Sequence, residues 1–439
     1  MLYILLLIIL SIMYISYKQN KMIVFSPSFI CSTSFLIADL FLIYLKDEWR
    51  VSISEYTVFI LFLGLSSLLI GESLFSRKIP TIPNEEFVNS YMEYESLHIN
   101  KKIVILIIIV DYIIAYIYYK EVINFMGVIY EWSDSMSEYR MAIITGEESV
   151  STLVSQLKAI STSTTLVFLS LSIHNIIKGD SIKNNLLYII GCIPYMIMVF
   201  LQGGRIGFLS FVAIILWYTF IYNYFSFFTK VQYVKYLKKF CIRISLVLVL
   251  VLAVFYSVRL IVGRANTEET SFSYYIGEYI GAPTMNLDRF LSTYSPPSLL
   301  DYDFEKSNAL QGLSSYIYRN KPVQRYGASK LDFRIGYKGV SLGNVYTAFS
   351  RYYADLGLIG IIFFPICLGA LLMKFLSLIF NYNICFCKRH LFFIMLYAFF
   401  YNQLVVFAAD DTFFTYFRLG NLEVPILFYF INKYLVKVI

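Results

Sequence analysis

Residues 185–225 read "NLLYIIGCIPYMIMVFLQGGRIGFLSFVAIILWYTFIYNYF". Two apolar runs, 185–201 and 206–225, are each long enough to cross a bilayer, and only Gln202, Gly203, Gly204 and Arg205 separate them. The glycines account for a tight reversal, because they reach positive φ without steric cost. They do not account for Arg205, since any small polar residue turns a chain at a membrane boundary.

The pattern repeats along the chain. Of 439 residues, 58% are hydrophobic and 15% are charged, and the mean hydropathy is +0.66. A soluble globular protein carries about 25% charged residues, so the chain reads as an all-α integral membrane protein. Apolar runs predict about eleven transmembrane helices, at 1–17, 23–45, 54–75, 102–119, 151–176, 185–201, 206–225, 241–262, 352–380, 391–409 and 413–435. The first lacks the basic start and small-residue cleavage site of a signal peptide.

Basic residues in the short loops set the orientation. With the N-terminus outside and the C-terminus inside, 17 lysines and arginines fall in the inner segments and five in the short outer ones. Arg205 then faces outward. The predicted organisation is eight helices over 1–262, one large extracytoplasmic loop over 263–351, and three helices over 352–439. That loop is too long for a connector and is divided in charge. Arg264 to Glu305 holds seven acidic and two basic residues, Lys306 to Lys338 seven basic and one acidic. Residues 120–150 read as short amphipathic helices on the outer surface.

Several chemistries are excluded. No cysteine lies in the large loop, so no disulfide framework is expected there. His98, His174 and His390 all fall on the inner side, leaving the outer face without a histidine base or ligand. "CFC" at 385–387 is a single cysteine pair without partners. Walker A, HExxH and GxSxG motifs are absent, and the glycines of "GGRIG" follow no strand. No cofactor, metal or nucleic acid is expected.

The outer face is instead rich in cations at membrane level: Lys158, Arg205, Arg259, Arg264, Arg351 and Arg418. Snorkelling to headgroups explains any one of them. All six at one level, on the side that the positive-inside bias disfavours, fit a shared anionic ligand. Guanidinium forks match phosphate oxygens, which suggests a lipid phosphate or diphosphate. Asp355, Asp288 and Glu278 lie at the same level, with Asp410 and Asp411 nearby. Each either pairs with an arginine or serves as a general base that takes a proton from a hydroxyl.

Three stretches carry a resemblance: "GGRIGFLSF" at 203–211, "YIGAPTMNLDRFL" at 279–291 and "NVYTAFSRYYADLGLIG" at 344–360. Together with the multi-span layout they resemble the O-antigen and capsule repeat-unit polymerases, the Wzy family. Arg325 and Gly336 also fit the Arg-x10-Gly spacing of some members. The resemblance implies a GT-C-like fold and an inverting, metal-independent glycosyltransferase in the cytoplasmic membrane. Such an enzyme moves a growing glycan from undecaprenyl diphosphate to the non-reducing end of a lipid-linked oligosaccharide repeat unit. Its implied partners are that lipid-linked substrate, the bilayer, a chain-length regulator and a flippase. The expected diphosphate ligands are Arg205, Arg264, Arg351, Arg259, Arg325 and Arg418, and the expected catalytic carboxylates Asp355, Asp288 and Glu278. O-antigen ligases are the nearest rival, but they use an outer-loop histidine that this chain lacks. Lipid-linked oligosaccharide flippases and other transporters usually have 12 or 14 spans and short loops.

Overall fold

The computed structural model describes residues 1–76, 83–94, 96–126, 139, 151–202, 206–227, 229–261, 272–317, 325–327, 334–335, 341–343, 345–381, 383–409 and 413–438. In chain order the helices begin with α1 (Leu2–Gln19), α2 (Pro27–Tyr44), α3 (Glu55–Ser76) and α4 (Glu85–Glu93), followed by strand β1 (Leu97–His98). Next come α5 (Lys101–Met126), α6 (Thr152–Ile177), α7 (Leu186–Gly191), α8 (Ile193–Leu201), α9 (Ile206–Tyr224) and α10 (Lys230–Ile261). The large loop holds α11 (Phe272–Ile280), α12 (Ala282–Thr293), α13 (Gln311–Ile317) and strands β2 (Arg334–Ile335) and β3 (Ser341–Gly343). The chain closes with α14 (Ala348–Ile379), α15 (Lys388–Val405), α16 (Leu419–Phe430) and β4 (Lys437–Val438).

Helices occupy all eleven segments predicted as spans. Among the described residues, seven helices are long and apolar enough to cross a membrane: α1, α2, α3, α5, α6, α9 and α14. The chain is therefore a helical, multi-pass membrane protein. Of the other four segments, 185–201 is interrupted, 413–435 holds a helix of 12 residues, 391–409 begins within α15, which opens on Lys388 and Arg389, and 241–261 belongs to the 32-residue helix α10. The sixth predicted span is two helices, α7 and α8, meeting at Cys192. Two residues beyond, Pro194 lacks the N–H that a continuous helix would use. Of the predicted surface helices at 120–150, α5 covers the start, while 127–138 and 140–150 lie outside the described residues.

The chain divides into two compact units. The first comprises Met1–Thr81, Thr270–Asn381 and Phe400–Leu419. Its core pairing is α3 against α14, and glycine makes it possible. A side chain at Gly71 would run into the Ile366 carbonyl, and one at Gly369 into the Leu68 carbonyl. Apolar helices in lipid gain little from hydrophobic burial against each other, so small residues that let backbones approach are their main route to tight packing. α14 itself breaks at Gly357, which sits at φ +59 and ψ −137, a conformation that glycine adopts freely. A side chain at Gly360 would meet the Tyr352 carbonyl across that break.

One buried carboxylate locks α1 to α3 together. Glu72 of α3, 0% exposed, accepts from Asn20 Nδ2 at 2.5 Å and Ser28 Oγ at 2.6 Å. It also accepts from the Ser28 backbone N–H. Ser28 lies in the first turn of α2, where backbone N–H groups have no helical partner and favour a negative charge.

The second unit comprises Ile82–Glu269, Tyr382–Phe399 and Gly420–Ile439. Here α5 to α9 pack together, and β1 pairs antiparallel with β4, Leu97 opposite Val438. Asn175 acts as a surrogate strand beside β1. Its Oδ1 accepts from Leu97 N at 2.8 Å and its Nδ2 donates to Leu97 O at 3.0 Å.

Gly71→Val tests the glycine contact. A valine there must push α3 away from α14, and overpacking of this kind costs about 1–3 kcal/mol or more. Thermal unfolding in detergent is expected to show a lower midpoint for Gly71→Val, and an unchanged midpoint would contradict the close approach.

Candidate functional site

The loop end of the first unit is assembled around the break in α14. Just before Gly357, Asp355 is fully buried, at 0% exposure. Its two oxygens accept four hydrogen bonds from one loop segment. Asn308 N and Asn308 Nδ2 donate to Oδ1 at 2.7 and 3.0 Å. Ser307 Oγ and Ala309 N donate to Oδ2 at 2.5 and 2.9 Å. Buried backbone N–H groups need such partners, and a carboxylate can serve several at once. Tyr294 OH also donates to the Ala354 carbonyl at 3.1 Å, occupying a helix-end acceptor.

The same loop segment is held from its other side by Arg325. Its Nη1 donates to Glu305 O at 2.6 Å, Ser307 O at 3.0 Å and Ser314 Oγ at 3.0 Å. Tyr326 completes the clasp, with its N–H donating to Lys306 O at 3.1 Å and its carbonyl accepting from Asn308 Nδ2 at 2.8 Å. Burial lowers the Arg325 guanidinium from its ordinary range and the Arg418 charge lowers it further, while Asp355 and Glu305 oppose the shift. Arg418 in turn lies within electrostatic reach of Arg351. A side chain at Gly312 of α13 would crowd the Arg418 backbone, so α13 and the turn before α16 are in contact.

Of the predicted diphosphate ligands, Arg418 thus lies within electrostatic reach of both Arg325 and Arg351 at this end of the first unit. Arg325 and Arg351 are half-buried and Arg418 is exposed. Like charges at such range disfavour one another, and an anionic ligand would relieve that cost. Arg205 and Arg264 lie outside the described residues, as do Asp410, Asp411 and Gly336. Arg259 belongs to α10, in the second unit.

The carboxylates separate by environment. Asp355 has every hydrogen-bonding direction occupied, which is the arrangement of an anchor. Asp288 of α12 differs: its Oδ1 takes Ser54 N at 2.8 Å, Ser54 Oγ at 2.6 Å and Thr57 Oγ1 at 2.6 Å at the start of α3. Its Oδ2 accepts no hydrogen bond among the described residues, and the side chain is half-buried. Glu278 is half-buried on α11. Among the described residues, neither Asp355 nor Asp288 hydrogen-bonds to an arginine, although both were candidates for that pairing. Ser307, Asn308 and Ala309 were not singled out from the sequence. Nothing in "KSNAL" announces that it folds back onto a carboxylate 46 to 48 residues later.

Asp355→Asn separates anchor from base. An amide in place of one oxygen faces two donors with a donor of its own, and each orphaned group costs about 1–3 kcal/mol. Amide hydrogen exchange at Asn308 and Ala309 is expected to quicken markedly in the variant. Unchanged exchange would remove the anchoring role.

No family model, no curated protein and no solved structure matches this chain, which leaves the chemistry of its own residues to point to a function.

Proposed function

We propose that this protein is a polysaccharide polymerase, an inverting and metal-independent glycosyltransferase that uses lipid diphosphate-linked glycans. The observation that carries this reading is the gathering of Arg325, Arg351 and Arg418 at the loop end of a helical membrane unit. A lipid diphosphate brings its negative charge to that depth in a membrane, and guanidinium groups bind it through paired hydrogen bonds. The resemblance of "NVYTAFSRYYADLGLIG" and its companions to the repeat-unit polymerases points the same way.

In the proposed reaction a hydroxyl of the incoming lipid-linked repeat unit attacks the anomeric carbon of the growing glycan. The bond from that carbon to the diphosphate oxygen breaks, and undecaprenyl diphosphate departs with its charge held by the arginines. The hydroxyl proton passes to a carboxylate. Asp288 suits that role best of the three candidates, because one of its oxygens is uncommitted and its side chain is accessible. Asp355 then serves as a positioning residue, holding the loop that carries Arg325. The basic-residue count supports an outward orientation of this end, and the proposed reaction belongs to the cytoplasmic membrane.

Two experiments test the reading. In a variant stripped of native cysteines, Leu300→Cys offers a labelling site that is 97% exposed. An impermeant thiol reagent is expected to label it in intact cells, and labelling only after permeabilisation would reverse the orientation. For activity, purified protein is given lipid-linked repeat units without nucleotide sugar or added metal. Wild type is expected to build ladders. Arg418→Lys and Arg205→Lys, which keep charge but lose the planar fork, are expected to fall by about 10²–10³ in rate. Equal ladders from wild type and both variants would return these residues to snorkelling, and a strict need for nucleotide sugar would reject the polymerase assignment.

A further inference from the structure

The second unit contains a polar cluster that plays no part in the proposed reaction. Asp111 sits midway along α5, within the apolar run "KKIVILIIIVDYIIAYIYY", and is 0% exposed. Its Oδ2 accepts from Thr164 Oγ1 at 2.6 Å. Its Oδ1 has no hydrogen-bond partner. Ser161 of α6 lies beside the carboxylate, and Thr165 follows one turn further on the same face. Ser161 is 0% and Thr165 2% exposed; Ser161 reaches the Asp111 carboxylate only weakly, and neither hydroxyl makes a well-formed hydrogen bond. Three buried oxygens thus lack a well-formed partner among the described residues, which is costly in an apolar surrounding.

The break between α7 and α8 adjoins this cluster. Cys192, at the break, is within electrostatic reach of Asp111, and its thiol leans towards Thr165 O at 4.0 Å and Tyr188 O at 3.2 Å. A side chain at neighbouring Gly191 would strike Phe168 of α6 and approach Ile108 of α5 to 3.3 Å. Helices α5, α6 and α7 therefore meet closely at the broken segment. Interrupted membrane helices whose ends and carbonyls face buried acidic and hydroxyl groups are a recurring way to hold a small cation.

We infer that Asp111, Ser161 and Thr165, beside the break at Cys192, form an intramembrane binding site for a monovalent cation of the sodium class. An ionised carboxylate without a counter-charge is costly at this depth. No lysine or arginine bonds to Asp111 among the described residues. A proton on Asp111 would join two of these oxygens and leave the third without a partner, whereas a cation collects all three at once. Hard oxygen ligands select an alkali or alkaline-earth ion, and the single carboxylate charge favours a monovalent one.

Thermal unfolding of the full-length protein in detergent tests the site, with sodium chloride exchanged for choline chloride at constant total salt. A bound ion stabilises only the folded state, so the wild-type midpoint is expected to rise with sodium along a saturating curve. Ser161→Ala and Thr165→Val each remove one ligand and are expected to raise the half-saturating sodium concentration by about tenfold. Asp111→Asn is expected to abolish the response. A wild-type midpoint indifferent to sodium, or a sodium response retained in Asp111→Asn, would overturn the site. If Asp111→Asn does not fold, the two hydroxyl variants decide alone: an unshifted curve in both would also overturn it.

Discussion

The loop end of the first unit is organised by one carboxylate at the edge of a helix break. Asp355 offers two oxygens, and Ser307, Asn308 and Ala309 fill them with four hydrogen bonds. Without that acceptor the loop would carry buried N–H groups with no partner. Arg325 closes the segment from the other side through Glu305 O, Ser307 O and Ser314 Oγ. The position of the arginine cluster therefore follows from a satisfied backbone, and the break at Gly357 sets where that backbone can be reached.

Buried carboxylates meet the problem of charge in an apolar bundle in different ways. Glu72 serves the first turn of α2 and the Asn20 amide, and so fastens three helices. Asp355 fastens a loop. Asp111 satisfies one hydroxyl and leaves an oxygen open beside a broken helix. Glu72 and Asp355 are committed to neighbouring groups, whereas Asp111 keeps one oxygen open, and Asp39 of α2, 1% exposed, has neither oxygen hydrogen-bonded among the described residues. Glycine works alongside them, since Gly71 and Gly369 let α3 and α14 touch backbone to backbone.

The helices were legible because apolar run length is a direct physical requirement of the bilayer. The break at Cys192 was less so, because "IIGCIPYM" keeps its hydropathy while Pro194 removes a donor. The arginines at 325, 351 and 418 could be named from residue type and level, but their meeting depends on how the large loop folds back. Asp355 shows the opposite difficulty. Its residue type and motif suggest a base, whereas the hydrogen bonds that fill its two oxygens come from partners some 46 to 48 residues distant. Asp111 stands out in the sequence as a lone acid within an apolar run, but only the packing of α5 on α6 brings Ser161 and Thr164 to it. Arg205, whose place in the sequence raised the question of an anion ligand, lies outside the described residues.

The central claim is that Arg325, Arg351 and Arg418 face a lipid diphosphate. Photo-crosslinking with an undecaprenyl diphosphate analogue, carrying its reactive group near the diphosphate, reads this directly by peptide mapping. The account predicts label in the segments around Arg325, Arg351 and Arg418, displaced by unlabelled undecaprenyl diphosphate. Displaceable label confined to other segments, with these three left unmarked, would contradict it.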